Sequence, residues 1–127
     1  MNAFVGPIDD AGSSINSAWR QFFKFNAIGR PAMIFVFLDE HPDSINDGWF
    51  VFCTSGDPSE RSYWSDLPAS YHNGAGGFAF ADGHSEIQKW IVGSTKRAVY
   101  KTSSDFPILV GANHHDIQWV AERTTYK

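Results

Sequence analysis

The stretch Phe78-Ala79-Phe80-Ala81-Asp82-Gly83-His84-Ser85-Glu86-Ile87-Gln88-Lys89-Trp90 reads as two extended segments folded about an Asp-Gly pair. Asp-Gly takes the positive φ angles of a type I′ turn readily, so the spacing predicts a two-residue β-hairpin. In that register Phe78, Phe80 and Ile87 share one face, while Ala79, Ala81, His84 and Glu86 share the other. His84 is therefore expected off the aromatic core.

Upstream, the unbroken apolar run from Ala32 to Leu38 predicts a central strand covered on both faces. It stops at a polar loop, residues 39–48, after which Trp49 to Cys53 predict a second strand antiparallel to the first. Residues 1–14 are rich in Gly, Pro, Asp and Ser and read as an irregular lead-in. Ile15, Ala18, Trp19, Phe22, Phe23 and Asn26 then fall at helical spacing, which predicts a helix over 15–27 with its ring stripe on the core. Residues 54–77 read as a long ordered loop anchored by Tyr63, Trp64, Leu67 and Tyr71. Downstream of the hairpin, 93–113 read as a loop that docks through Phe106, Ile108, Leu109 and Val110. A short helix over 116–123 follows, with Asp116 as cap and Ile117, Val120 and Ala121 as anchors. The fold class expected is α+β: one domain, residues 1–127, with an antiparallel sheet, one packed N-terminal helix and long ordered loops.

Composition agrees with a sheet. Among 127 residues there are eleven Phe, five Trp and four Tyr against two Met, a core of flat rings rather than of helix-bundle side chains. The formal charge of −4 and the absence of any Lys/Arg run exclude a nucleic-acid partner, because phosphate binding needs cations that release counterions. The one cysteine, Cys53, sits in an apolar run and reads as a small buried hydrophobe. No stretch approaches the roughly 20 apolar residues of a membrane span, and no signal peptide is legible at the N-terminus, so as written the chain reads as soluble, cytoplasmic and without a membrane contact.

The candidate chemistry gathers in loops. Within 39–48, Asp39, Glu40, Asp43, Asn46 and Asp47 offer oxygen ligands of the kind a hard cation such as Ca²⁺ takes, with Gly48 free to turn; the spacing is not that of an EF-hand, and a solvated acidic turn is the competing reading. His41, His72 and His84, with Asp82, lack the pair spacing of a zinc site. Ser70, Ser85 and Cys53 lack the surroundings of an activated nucleophile. His114-His115-Asp116 reads as a helix start. His72 is expected to bond a backbone carbonyl, and the run Gly74-Ala75-Gly76-Gly77 to let the backbone approach another element closely.

Nine residues separate His72 from Asp82-Gly83, a spacing that resembles the H-x9-D-G motif of prepilin-type, processing-associated bacterial proteins. Phe37 to Gly48 and the closing run Gln118-Trp119-Val120-Ala121-Glu122-Arg123-Thr124 are similar to that family too. The family's leader and long apolar anchoring helix are not in this sequence, so the resemblance implies a truncated head, with Met1 in the place of an internal methionine. It also implies a pseudopilin-like head whose antiparallel sheet packs on that helix, subunits of a filament or secretion system as partners, and the cell envelope or an extracellular filament as location. The major pseudopilin of type II secretion binds calcium through loop oxygens. The loop here does not reproduce that calcium-loop pattern, so it is residue chemistry that assigns Ca²⁺ to Asp39, Asp43, Asn46 and Asp47, where it would order the loop, with His72, Asp82 and Gly83 as an architectural element.

Two function classes follow as expectations. The first is a calcium-stabilised structural head of a type II secretion or type IV pilus-like pseudopilin. The alternative is a small calcium-dependent hydrolase of lactones or esters, in which a cation polarises the carbonyl and His72, Asp82 or His84 activates water. A carbohydrate-binding module using Tyr63, Trp64 or Trp49 is a third possibility.

Overall fold

The hairpin forms about Asp82-Gly83, but with three residues in its loop rather than two. In the computed structural model, which describes residues 1–9, 12–53 and 55–127, the strand Ala75–Phe80 (β3) pairs antiparallel with Ser85–Lys89 (β4). Residues 10, 11 and 54, parts of the expected lead-in and long loop, lie outside the described residues. Phe80 N–H donates to His84 O at 2.9 Å and Gly83 N–H to Phe80 O at 3.0 Å, with Gly83 alone at positive φ, +94°. That is a tight turn closed by a glycine bulge. The extra loop residue slips the register by one, and because strand side chains alternate with period two, the slip changes faces. Phe78 therefore faces Glu86, and Gly77 faces Ile87. Ile87 leaves the core and is 63% exposed. His84 joins the Phe80 face instead, its ring stacked on Phe80 at 4.3 Å and 4°.

Strand Phe35–Leu38 (β1) pairs with β3, so the three-stranded sheet has the order β1-β3-β4 and β3 is central. The run 32–38 is thus an edge strand, not a central one, and it opens with a single 3-10 turn, Pro31–Met33. A register shift between Phe35 and Phe37 puts Phe35 and Leu38 inward opposite Phe80 and Phe78, and leaves Phe37 outward. The free edge of β1 is covered by the N-terminus: Asn2 N–H donates to Val36 O, and the Asn2 side-chain amide to Phe35 O and Thr124 O. Asn2, Ala3 and Phe4 are consequently buried, and the lead-in is part of the core.

The N-terminal helix expected over 15–27 does not form. Asn16 Oδ1 accepts the Ala18 N–H, a local turn that competes with a helix start. Phe22 then pairs in extended fashion with the first residues, donating to Phe4 O and accepting from Gly6 N–H. One 3-10 turn, Phe25–Ala27, remains of the helical pattern, and Phe23, expected on the core, is 52% exposed.

The expected strand 49–53 is likewise replaced. Val51 N–H goes to the Asp66 carboxylate instead of a ladder carbonyl, and Phe50 makes an isolated parallel bridge to Asn2. Phe50, Phe52 and Cys53 are nonetheless buried. A second, two-stranded antiparallel sheet joins Tyr63–Trp64 (β2) to Ile108–Leu109 (β5), inside two segments expected to be loops.

The helix of this mixed fold is His115–Ala121 (α1), near the expected place, with Ile117, Val120 and Ala121 buried. His114 occupies the cap position without a side-chain cap bond, so Asp116 is not the cap. Its carboxylate reaches across to the chain leaving β4, accepting Val92 N–H at 2.9 Å and Ile91 N–H at 3.2 Å. Beneath the inner sheet face the rings meet edge to face: Phe78 with Phe35 at 5.3 Å, with Trp119 at 5.0 Å and with Trp90 at 5.9 Å. Such pairs add about 0.5–1.5 kcal/mol each beyond the area they bury. Among the described residues no helix is long and apolar enough to cross a membrane.

Candidate functional site

The outer face of the three-stranded sheet is open. Down its middle β3 presents Gly77 and Ala79, because Phe78 and Phe80 point the other way into the core; Ala75, on the same side of the strand, is buried. Phe37 of β1 lies beside Ala79 and Ile87 of β4 beside Gly77, 58% and 63% exposed. The result is a track of small side chains between two large exposed apolar ones, with the Ser85 hydroxyl at one end.

The other end of the track is polar, and there the glycine run does its work. A Cβ on Gly77 would stand 2.8 Å from Asp39 Oδ2. Without it, that oxygen accepts the Gly77 N–H at 3.1 Å and meets His72 Nε2 at 3.1 Å. His72 thus bonds a carboxylate rather than a backbone carbonyl. It is presented by a turn in which Asn73 and Gly74 both have positive φ, 54° and 79°, and its ring meets Tyr71 edge-on at 5.6 Å. Tyr71 in turn donates its hydroxyl to Glu40 O at 3.0 Å, tying the rim to the acidic loop.

The oxygen-bearing residues of 39–48 point to different parts of the chain. Asp39 goes to Gly77 and His72. Asp43 accepts the N–H groups of Tyr100 and Lys101, both at 2.7 Å; burial opposes its ionisation, but those amides outweigh it and hold the carboxyl below the usual carboxylate range. Asp47 accepts Trp49 N–H at 2.6 Å, and Asn46 is exposed. His41, fully buried, has Nε2 3.1 Å from Arg97 O and accepts Asp43 N–H at Nδ1, so the neutral ring protonated at Nε2 satisfies both contacts and staples 41–43 to 97–101. Asp39, Asp43 and Asp47 thus each accept from N–H groups of a different segment. Among the described residues no group of three or more His, Cys, Asp or Glu is placed to hold a metal ion.

The residues of the hydrolase expectation are divided as well. His84 Nδ1 lies 2.5 Å from Asp82 Oδ1, a contact that holds the Asp82 carboxyl below its ordinary range. That pair is at the hairpin turn and His84 stands over Phe80 on the inner face. His72 stands by Gly77 on the outer face, three residues away along β3, about 10 Å at strand rise. Cys53 is buried and its thiol is pushed up to about 12 by that burial, so it supplies no thiolate. Ser70 donates to Arg97 O at 3.3 Å, and His115 Nδ1 lies 3.1 Å from Asp116 Oδ1.

Two carboxyls do carry raised pKa values. Burial, and then the charge of Asp66, lift Glu40 to about 7; burial lifts Asp66 to about 6 against the Val51 N–H that it accepts. Each folded-state value lies above the unfolded one, so the native state holds these two protons more tightly, and the contribution of this pair to stability is fullest below about pH 4 and is lost as pH rises through about 7. Glu40→Gln removes its share. The variant is expected to gain on wild type between about pH 5 and about pH 8, by on the order of 1 kcal/mol once partial exposure is discounted, as read from urea midpoints across that range.

Sequence reading missed Phe37, Ile87 and Asp66. Sequence pattern places the first two on buried faces, and only the loop's third residue and the β1 register shift expose them. For Asp66 the available signal was its position between the buried anchors Trp64 and Leu67. Compared with protein-family models, with curated proteins and with solved structures, the chain finds no match.

Proposed function

We propose that this chain is a non-catalytic, pseudopilin-like head domain whose open sheet face packs against an apolar helix of a filament or secretion-type assembly. The observation that carries the reading is the outer face itself, where Phe37 and Ile87 flank Gly77 and Ala79. A sheet face burdened with two exposed apolar side chains and lacking bulk in between suits a rod-shaped apolar partner better than it suits water. The H-x9-D-G spacing supports the same reading. His72 and Asp82-Gly83 bracket β3, the strand that makes the track, with His72 held to Asp39 at one end and the Gly83 bulge turning the chain at the other. Calcium is not part of this proposal, since amide-to-carboxylate bonds already order the acidic loop.

The test is a titration of isotope-labelled protein with a micelle-solubilised apolar helical peptide. Amide shifts are expected first at Phe37, Gly77, Ala79, Ser85 and Ile87, and Phe37→Glu, an exposed and foldable change, should abolish them. Shifts confined to other surfaces, or equal shifts in wild type and Phe37→Glu, would remove the reading.

A further inference from the structure

The three-stranded sheet has two outer edges, and the N-terminus covers only one, β1, through the Asn2 N–H and side-chain amide. The other is β4, five residues without a proline or a register shift, all exposed but Gln88. Antiparallel ladders alternate, so each residue turns its backbone N–H and C=O either to its partner strand or away from it. Phe80 N–H donates to His84 O and Trp90 N–H to Gly74 O, both at 2.9 Å, which fixes the alternation. Glu86 and Gln88 face Phe78 and Gly76, while Ser85, Ile87 and Lys89 turn their backbone groups outward. Among the described residues, the one partner of those outward groups is Gln88, whose Nε2 donates to Lys89 O at 3.1 Å.

This edge is self-complementary. On a two-fold axis through Ile87, Ser85 of one copy lies opposite Lys89 of the other and Ile87 opposite Ile87, so every outward N–H meets an outward carbonyl. The two Ile87 side chains, each 63% exposed, then cover one another on the outer face. On the opposite face Glu86 meets Gln88, and the two Glu86 carboxylates stand only diagonally, about 7–8 Å apart along the backbone. Sliding the register toward Ser85 would set Glu86 directly against Glu86, a repulsive pair, and sliding it toward Lys89 would leave Ser85 without a partner. Lys89 is the cation of the strand, and in the Ile87-centred register it faces Ser85 rather than a second Lys89, so it does not guard the edge. We propose that the free edge of β4 is a self-association surface, on which two copies of this chain join antiparallel about Ile87 into one continuous sheet. One short strand from each copy makes the seam, a contact in the size class of transient complexes, so a Kd of about 0.1–1 mM is expected.

The experiment is sedimentation equilibrium of the intact chain from about 20 μM to about 2 mM, joined to isotope-filtered NMR on an equal mixture of labelled and unlabelled protein. A monomer–dimer equilibrium is expected, with an intermolecular contact between the Hα atoms of Glu86 and Gln88 and with amide protection at Ser85, Ile87 and Lys89 that rises with concentration. Gln88→Lys sets a cation directly opposite Glu86 at two places in the dimer and should tighten it about fivefold; Gln88→Glu should weaken it about as much. Neither change touches the outward backbone groups. Ile87→Pro removes an outward N–H that the ladder within the chain does not use, so association should be lost while the β3 amide shifts persist. Should that variant fail to fold, the opposed effects of the two Gln88 variants still decide. Phe37→Glu, on the far strand of the sheet, should leave association unchanged, which separates this surface from the head reading. A chain monomeric at about 2 mM, Gln88→Lys and Gln88→Glu acting alike, or intermolecular contacts confined to other segments would overturn the proposal.

Discussion

Gly76→Ala is expected to lower stability by about 2–4 kcal/mol, a large share of the ~5–15 kcal/mol a domain has. A Cβ at this position would lie 2.6 Å from Ala69 O and 3.5 Å from Trp90 Cζ2. Backbone stands on one side and a fully buried ring on the other, so neither can yield cheaply. The same carbonyl accepts the Trp90 Nε1–H at 2.8 Å, and pushing it away also strains that buried hydrogen bond. The loss should appear as a lower denaturant midpoint together with a weaker near-ultraviolet signal from Trp90. Gly93→Ala is the control: a methyl at that position would meet nothing within 4 Å and its φ is not positive, so the change should be close to neutral. Equal midpoints for the two variants would show that β3 does not depend on the close approach at Ala69.

Asp116→Ala should cost a similar amount by a different route. The residue is 1% exposed, and its carboxylate is the acceptor for Ile91 and Val92 N–H as the chain leaves β4. Truncation leaves both amides without a partner, at about 1–3 kcal/mol for each that stays dry. Asp116→Asn keeps one acceptor and should fall between alanine and wild type. Hydrogen exchange adds a local readout, since Ile91 and Val92 amides should lose protection before the ladder of β3 and β4 does. If asparagine and alanine destabilise equally, or exchange at these two amides is unchanged, the carboxylate is not the tether between α1 and the sheet.

Much of the candidate site was legible as residue types and little of it as geometry. The Gly74 to Gly77 run announced a close backbone approach, and the structure supplies two, to Ala69 and to Asp39. Which face Ile87 would take was not legible, because it turns on whether the Asp-Gly loop holds two residues or three, a difference of a few dihedral angles around Ala81. Asp39 and Asp43 looked alike in sequence as oxygen ligands. Their different duties follow from β3 passing one of them and the 97–101 loop the other.

Local chemistry is enough for a turn at Asp82-Gly83, an extended run through Phe35 to Leu38, a C-terminal helix, and a core of Phe and Trp rings. Turn dihedrals, side-chain branching and ring hydrophobicity act over a few residues and need no partner to be read. The rest needed contacts between distant segments. The buried Asn2 at the edge of β1, Phe22 extended rather than helical, Tyr63–Trp64 joined to Ile108–Leu109, and Asp116 tethering Ile91 and Val92 all depend on backbone groups finding partners far along the chain. Those pairings satisfy buried polar groups whose cost is set by the assembled fold, and local pattern carries no record of them.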